Sequence, residues 1–136
     1  MNNPPLILIV DDEANFREIF SAEMLRSGYN VDTAVDGIDG YEKAKKLQPD
    51  LILMDMEMPR LNGAGAVMKL KEDPATKDIK IIFLTNYGDP RTEMTIADVH
   101  FSKEIGAEDY MRKTDDLSIL RVEVERVLNH QKTNAK

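Results

Sequence analysis

Residues 51–63 read Leu51-Ile52-Leu53-Met54-Asp55-Met56-Glu57-Met58-Pro59-Arg60-Leu61-Asn62-Gly63. Apolar side chains follow one another without alternation, then give way to one carboxylate and a Pro/Asn/Gly turn. A strand with no polar face must be buried on both sides, which is the condition inside a parallel sheet covered by helices. Open sheets of that kind place their chemistry just beyond the carboxyl ends of the strands. Asp55 stands at such an end, and the rest of the chain can be read around it.

The other segments agree with a strand–helix alternation. Residues 6–10 are a second wholly apolar run, closed by Asp11-Asp12-Glu13. A helix is expected from there to about Arg26, with Phe16, Ile19, Phe20 and Met24 turned inward and Gly28 as its C-cap. Residues 30–34 suit a short strand, Asp36-Gly37 a turn, and 38–47 a helix that carries Tyr41, Ala44 and Leu47 inward until Pro49 stops it. After the strand at 51–54, a helix over 65–72 offers Val67, Met68 and Leu70 to the core, and Asp73-Pro74 breaks it. Residues 80–84 form a strand ending at Thr85. A helix over about 91–105 closes at Gly106, and a fifth strand over 108–111 ends near Lys113. Asp115 is expected to cap a last helix over 116–129, followed by a polar, frayed tail at 131–136. Five strands and five helices in alternation give an α/β fold, a flavodoxin-like doubly wound (βα)5 sandwich. Right-handed crossovers favour a parallel sheet of order 2-1-3-4-5. One domain over residues 1–136 is expected, its core at 5–130.

Composition narrows the function. A net charge of −7 on 136 residues disfavours nucleic acid and anionic membrane as direct partners. No apolar run reaches membrane-spanning length and no signal peptide opens the chain, so a cytoplasmic protein is expected. The absence of cysteine removes disulfides, thiol nucleophiles and thiolate metal sites, and His100 and His130 form no metal-binding pair.

In a parallel sheet of this order, consecutive strand ends deliver Asp11 and Asp12, Asp55, Thr85 and Lys113 to one edge. Two like charges about 4 Å apart repel by roughly 4 kcal/mol at an effective dielectric near 20. Three carboxylates together therefore call for cations. Lys113 is one, and Mg²⁺ suits a site of few carboxylates with phosphate as co-ligand. Such a site has the parts for phosphoryl transfer: Asp55 as nucleophile, Asp11 and Asp12 for the metal, Lys113 and Thr85 for the phosphoryl oxygens. Taken singly, each has a plainer reading: a helix cap for the Asp pair, a turn residue for Thr85, a solvated charge for Lys113. Their joint placement at successive strand ends argues otherwise.

The ordered motifs Val10-Asp11-Asp12-Glu13, Asp55-Met56-Glu57-Met58-Pro59 with Asn62-Gly63, Leu84-Thr85, Gly106-Ala107-Glu108-Asp109-Tyr110 and Lys113 resemble those of two-component response regulator receiver domains. The resemblance is to the chemotaxis-regulator-like, stand-alone type. The resemblance implies that Asp55 accepts a phosphoryl group from a sensor histidine kinase or histidine phosphotransfer protein. It implies Mg²⁺ held by Asp11, Asp12, Asp55 and the backbone carbonyl of Glu57. Lys113 would pair with Asp55 and then with the phosphoryl group, while Thr85 and Tyr110 would act as the switch pair. Such a protein is a phosphoacceptor switch, not an enzyme acting on other molecules.

Three departures from the family pattern stand out. Lys113 is followed by Thr114 where the family usually has proline, and a trans bond is expected there. Asn86 and Tyr87 follow the switch Thr where a small residue is usual; with Glu57 they are candidates to modulate hydrolysis of the phosphoaspartate. The segment 86–98 is longer than usual, which points to a remodelled loop or helix.

With no output domain read after the last helix, signalling by contact with a downstream protein is expected, as a monomer or a weak phosphorylation-dependent dimer. Ile96 and Val99 on one helix and Ile119 and Val122 on the last fall opposite the core faces and, with Tyr110, make a candidate output face. A flavin carrier of the same fold is disfavoured because Asp11-Asp12-Glu13 would repel its phosphate, and the dinucleotide glycine fingerprint is absent. A strand-end Asp phosphatase would need a second Asp where Glu57 stands. The remaining alternative is a receiver-fold binding module that works without phosphorylation.

Overall fold

The protein is described by a computed structural model covering residues 2–58, 61–85, 106–113 and 115–134. Strands β1 (Leu6–Val10), β2 (Asn30–Ala34), β3 (Leu51–Asp55), β4 (Lys80–Thr85) and β5 (Asp109–Arg112) form one sheet of order β2-β1-β3-β4-β5. Every neighbouring pair is parallel. Among the described residues the helices are α1 (Ala14–Arg26), α2 (Gly37–Leu47), α3 (Gly63–Glu72) and α4 (Leu117–Asn134). This is the flavodoxin-like doubly wound fold with the strand order expected from the sequence.

The unbroken apolar strands explain the two-sided core. Successive side chains in a strand point to opposite faces. Leu8, Val10, Ile52, Met54, Ile81 and Phe83 meet Ala44 of α2 and Ala66, Val67 and Leu70 of α3. Ile7, Ile9, Leu51, Leu53, Ile82 and Leu84 meet Phe20 and Met24 of α1 and Leu120, Val124, Val127 and Leu128 of α4. Each central strand thus serves two layers at once, and polar residues have no place in it until its carboxyl end.

Several local expectations are corrected. Ile19 lies 45 % exposed at the margin of the α1 stripe, and the buried position there belongs to Glu23, whose carboxylate is paired with Arg26 at 3.2 Å. Met68 is exposed in the same way. α3 begins at Gly63, two residues early, because Asn62 caps it by accepting the Gly65 N–H at 2.8 Å. On α4, Asp116 takes the Ser118 N–H at 2.8 Å, whereas Asp115 is engaged with the Arg112 N–H at 3.2 Å. That helix continues to Asn134 through most of the stretch expected to fray. The helix expected over 91–105 with Ile96 and Val99, the residues Asn86 and Tyr87, and the Lys113–Thr114 bond lie outside the described residues.

Candidate functional site: an acidic cluster at the carboxyl edge of the sheet

Strand parity decides which side chains meet beyond the sheet. Asp11 continues the row of Ile7 and Ile9, Asp55 that of Leu51 and Leu53, and Lys113 that of Met111, all on the α1/α4 layer. Because β1 and β3 are neighbours with Val10 opposite Met54, Asp11 and Asp55 come to stand side by side. Lys113 starts two strands away from Asp55, across β4, and a stem of four methylenes spans that gap. Its backbone N–H is pinned to the Thr85 carbonyl at 2.8 Å, which fixes where the stem begins.

The three side chains are essentially sealed from solvent: Asp11 and Asp55 are 0 % exposed and Lys113 4 %. Lys113 Nζ lies 2.8 Å from Asp11 Oδ2 and 3.3 Å from Asp55 Oδ2. Each carboxylate gives its other oxygen to a backbone N–H two residues on, Asp11 Oδ1 to Glu13 at 2.9 Å and Asp55 Oδ1 to Glu57 at 3.1 Å. Apart from the Lys113 ion pair, neither Oδ2 atom has a hydrogen-bond partner among the described residues, so both are under-coordinated buried carboxyl oxygens. Asp12, exposed, completes the group: carboxylate oxygens of Asp11, Asp12 and Asp55 lie within 4.8 Å of one another.

Electrostatics follows from this crowding. Burial, then the neighbouring Asp11 charge, pushes the Asp55 carboxyl up to about 8 against the pull of Lys113. Burial works against the Lys113 charge too, yet its contact with Asp11 and the fields of Asp55, Asp11 and Glu13 outweigh it and raise its pKa. One ammonium therefore does not fully neutralise the cluster. Oxygen-only donors with two under-coordinated buried atoms fit a small hard divalent cation, and Mg²⁺ in particular.

Thr85 and Tyr110 stand apart by parity. Thr85 follows Ile81 and Phe83 on the α2/α3 layer, where it is fully buried, and Tyr110 packs against that same cluster from its place opposite Phe83. Glu57 is exposed, as are Ile119 and Val122 on α4 at 52 % and 59 %.

Some participants were not singled out from sequence as part of the site. Glu13 Oε1 lies 3.5 Å from Lys113 Nζ, and the ammonium sits over the Phe16 ring at 4.5 Å from its centroid. Arg17 donates to the Asp11 carbonyl at 2.8 Å. Gly63 is a backbone requirement: a Cβ there would fall 2.2 Å from the Asp55 carbonyl oxygen and 2.8 Å from Met56 Cα. The Asn62-Gly63 pair after the strand signalled a turn, but nothing in it announced so close an approach.

The family model of the response regulator receiver domain matches residues 7–125. The DNA-binding dual master transcriptional regulator RpaA of Synechocystis is 36 % identical over 124 residues, covering 91 % of this chain and 49 % of the relative. The response regulator ArlR of Staphylococcus aureus is 34 % identical over 125 residues, with 92 % and 53 % covered. The chain thus spans about half the length of the curated relatives it matches. Among solved structures, Vibrio cholerae chemotaxis protein CheY4 superposes with a TM-score of 0.81 at 28 % identity, covering 90 % of this chain and 98 % of its own. A receiver domain protein from Methanospirillum hungatei reaches 0.85 at 24 % identity, covering 96 % and 98 %, a likeness of fold alone. With the family model spanning nearly the whole chain, the fold matching throughout and the acidic edge in place, this chain belongs to the response regulator receiver domain family.

Proposed function

We propose that the chain is a Mg²⁺-dependent phosphoacceptor switch, with Asp55 taking a phosphoryl group from the phosphohistidine of a sensor kinase or phosphotransfer protein. Receiver domains are signalling switches that interact with such partners, which sets the class. The observation that carries the reading is the pair of buried Oδ2 atoms on Asp11 and Asp55, shared by one ammonium and left short of cations.

Asp11, Asp12 and Asp55 with the Glu57 backbone carbonyl would hold the ion, which supplies charge neutralisation for the non-bridging phosphoryl oxygens. The Asp55 carboxylate attacks phosphorus, the N–P bond to the donor imidazole breaks as the new O–P bond forms, and the imidazole leaves with a proton from solvent. No general base is needed once the ion is held, because its charge would bring Asp55 back to the carboxylate, which is the attacking form. Lys113 moves its charge from Asp55 Oδ2 to the arriving phosphoryl oxygens, and the Thr85 hydroxyl donates to another. Tyr110, on the same layer as Thr85, then follows the change. Glu57, Asn86 and Tyr87 would set the lifetime of the product by modulating its hydrolysis.

In this reading residues 1–136 form one receiver unit with its core at 5–130. It acts in the cytoplasm as a monomer or weak phosphorylation-dependent dimer and signals through a protein partner at Ile96, Val99, Tyr110, Ile119 and Val122, without touching nucleic acid or membrane itself. No described helix is long and apolar enough to cross a membrane. RpaA is named as DNA-binding, but the present chain matches about half of it.

The deciding experiment is intact mass after incubation with acetyl phosphate and Mg²⁺. One added phosphoryl that is absent in Asp55→Asn supports the switch. No addition to the wild-type chain refutes it and leaves a binding module that works without phosphorylation.

A further inference from the structure

Resting on the phosphoacceptor reading, we propose that Glu13 is a positioning residue that competes with the incoming phosphoryl group for the Lys113 ammonium. Three observations meet on it. Glu13 is the N-cap of α1, with extended backbone, yet its side chain makes no capping hydrogen bond. Glutamate is a poor cap, since the residues favoured there are Ser, Thr, Asp and Asn, whose short side chains reach the free N–H groups. A broken local rule with no local compensation points to another task for the carboxylate. That task is visible: Glu13 Oε1 faces Lys113 Nζ at 3.5 Å, across a sequence separation of 100 residues.

The ammonium carries three N–H donors. Asp11, Asp55 and Glu13 each offer it an oxygen, at 2.8, 3.3 and 3.5 Å, and the Phe16 ring lies 4.5 Å from it. Glu13 and Phe16 are three residues apart on the first turn of α1, so one helix turn presents both to the ammonium. Asp11 and Asp55 are sealed, whereas the Glu13 side chain is half exposed and can be rehydrated at little cost. When a phosphoryl group arrives on Asp55, the ammonium must turn to it, and the Glu13 contact is the one that yields. An interaction present in the resting state and absent at the transition state raises the barrier. Glu13 thus holds Lys113 back and slows phosphoryl uptake.

Uptake from acetyl phosphate with Mg²⁺ is measured on the full chain carrying Glu13→Gln, alone and combined with Lys113→Met. Glu13→Gln takes up phosphoryl about two- to fivefold faster than wild type, the size of a partly exposed ion pair released. In the Lys113→Met background the substitution has no effect on rate. A gain of the same size there would mean plain charge repulsion between Glu13 and the donor, and would overturn the proposal, as would an unchanged rate in Glu13→Gln alone. An independent readout is the ¹⁵Nζ resonance of Lys113 in the unphosphorylated chain, which shifts in Glu13→Gln; an unmoved resonance also overturns it. A wild-type chain that takes up no phosphoryl sinks the phosphoacceptor reading along with this one. Normal wild-type uptake without the Glu13 effect sinks this one alone.

Discussion

Asp11 and Asp55 hold matching poses at the ends of adjacent strands, each with Oδ1 on the N–H two residues ahead and Oδ2 on the same ammonium, 2.8 and 3.3 Å away. The pairing is enforced by the β1–β3 register and not by any attraction between them. Two carboxyls held together by a backbone ladder cannot both ionise without cost, which is why the Asp55 carboxyl is pushed up to about 8, and a cation relieves that cost. That cost would be the physical basis of an affinity for Mg²⁺ and of a sensitivity to a change of charge.

Lys113 and the metal should compete, since both serve the same oxygens. Lys113→Met is expected to bind Mg²⁺ more tightly by about an order of magnitude. A unit positive charge a few ångströms away, at an effective dielectric near 20, easily exceeds the roughly 1.4 kcal/mol that a tenfold change needs. Titration calorimetry measures this directly, and an equal or weaker affinity in the variant would show that the ammonium orders the site more than it opposes the ion.

Removing one of the crowded carboxyls should relieve the fold. Asp55→Asn keeps the shape, retains an oxygen for the Glu57 N–H and leaves Lys113 to pair with Asp11. In Mg²⁺-free buffer at neutral pH the variant is expected to be more stable by about 1–3 kcal/mol, because the folded chain must hold on Asp55 a proton that the unfolded chain releases, a cost the amide does not carry. Urea unfolding followed by far-ultraviolet circular dichroism gives the value. A variant less stable than wild type would mean that Asp55 is well paired in the resting protein, against the geometry.

How much of this was legible beforehand depends on how strongly the core constrains each residue. β1, β3 and β4 were readable because strands buried on both faces must be apolar throughout, and once their order was set, Asp11, Asp55 and Lys113 had to emerge on one edge. Ile19 shows that hydrophobicity does not ensure burial at a stripe margin: one turn further on, Glu23 with its Arg26 partner is buried instead. Glu13 was read as part of an acidic strand ending; its contact with Lys113 depends on an approach between residues 100 apart, which spacing along the chain does not encode. The Gly63 contact was hidden for a similar reason, since a glycine in a turn usually marks conformation and here marks distance.

Gly63 accordingly tolerates no side chain. Its φ is not in the left-handed region, so the obstacle is contact with the Asp55 carbonyl oxygen and Met56 Cα, both backbone atoms that no rotamer change can move. Gly63→Ala should cost about 1–3 kcal/mol, the usual range for overpacking, and should displace the segment that carries Asp55. Phosphoryl uptake should fall along with the unfolding midpoint. Gly28→Ala provides the contrast: its position has φ +96° but open space around it, so only backbone strain is introduced, far from the acidic edge. Gly28→Ala is expected to lower the midpoint while leaving uptake by the folded chain intact. Equal loss of uptake in both variants would argue that uptake merely follows global stability.

A pH dependence separate from the acidic edge is built between α2 and α3. The Tyr41 hydroxyl donates to Asp73 Oδ2, Asp73 Oδ1 accepts the Ala75 N–H at 2.9 Å, and Lys45 Nζ lies 3.4 Å from Asp73 Oδ2. The Tyr41 hydrogen bond is the main cause holding the Asp73 carboxyl below its ordinary value, with the Ala75 N–H next. A carboxyl with a folded-state pKa below its unfolded one contributes stability above the unfolded value, near 3.9, and loses it as the pH falls through the depressed folded value. Tyr41→Phe removes the largest part of that depression. The gap in urea midpoint between wild type and Tyr41→Phe should therefore be full and level from pH 7 down to about 4 and then shrink in stronger acid. Midpoints measured at several pH values across that span decide the matter. A gap that stays constant to the lowest pH at which both chains fold would show that the hydroxyl acts through packing, with Asp73 a bystander.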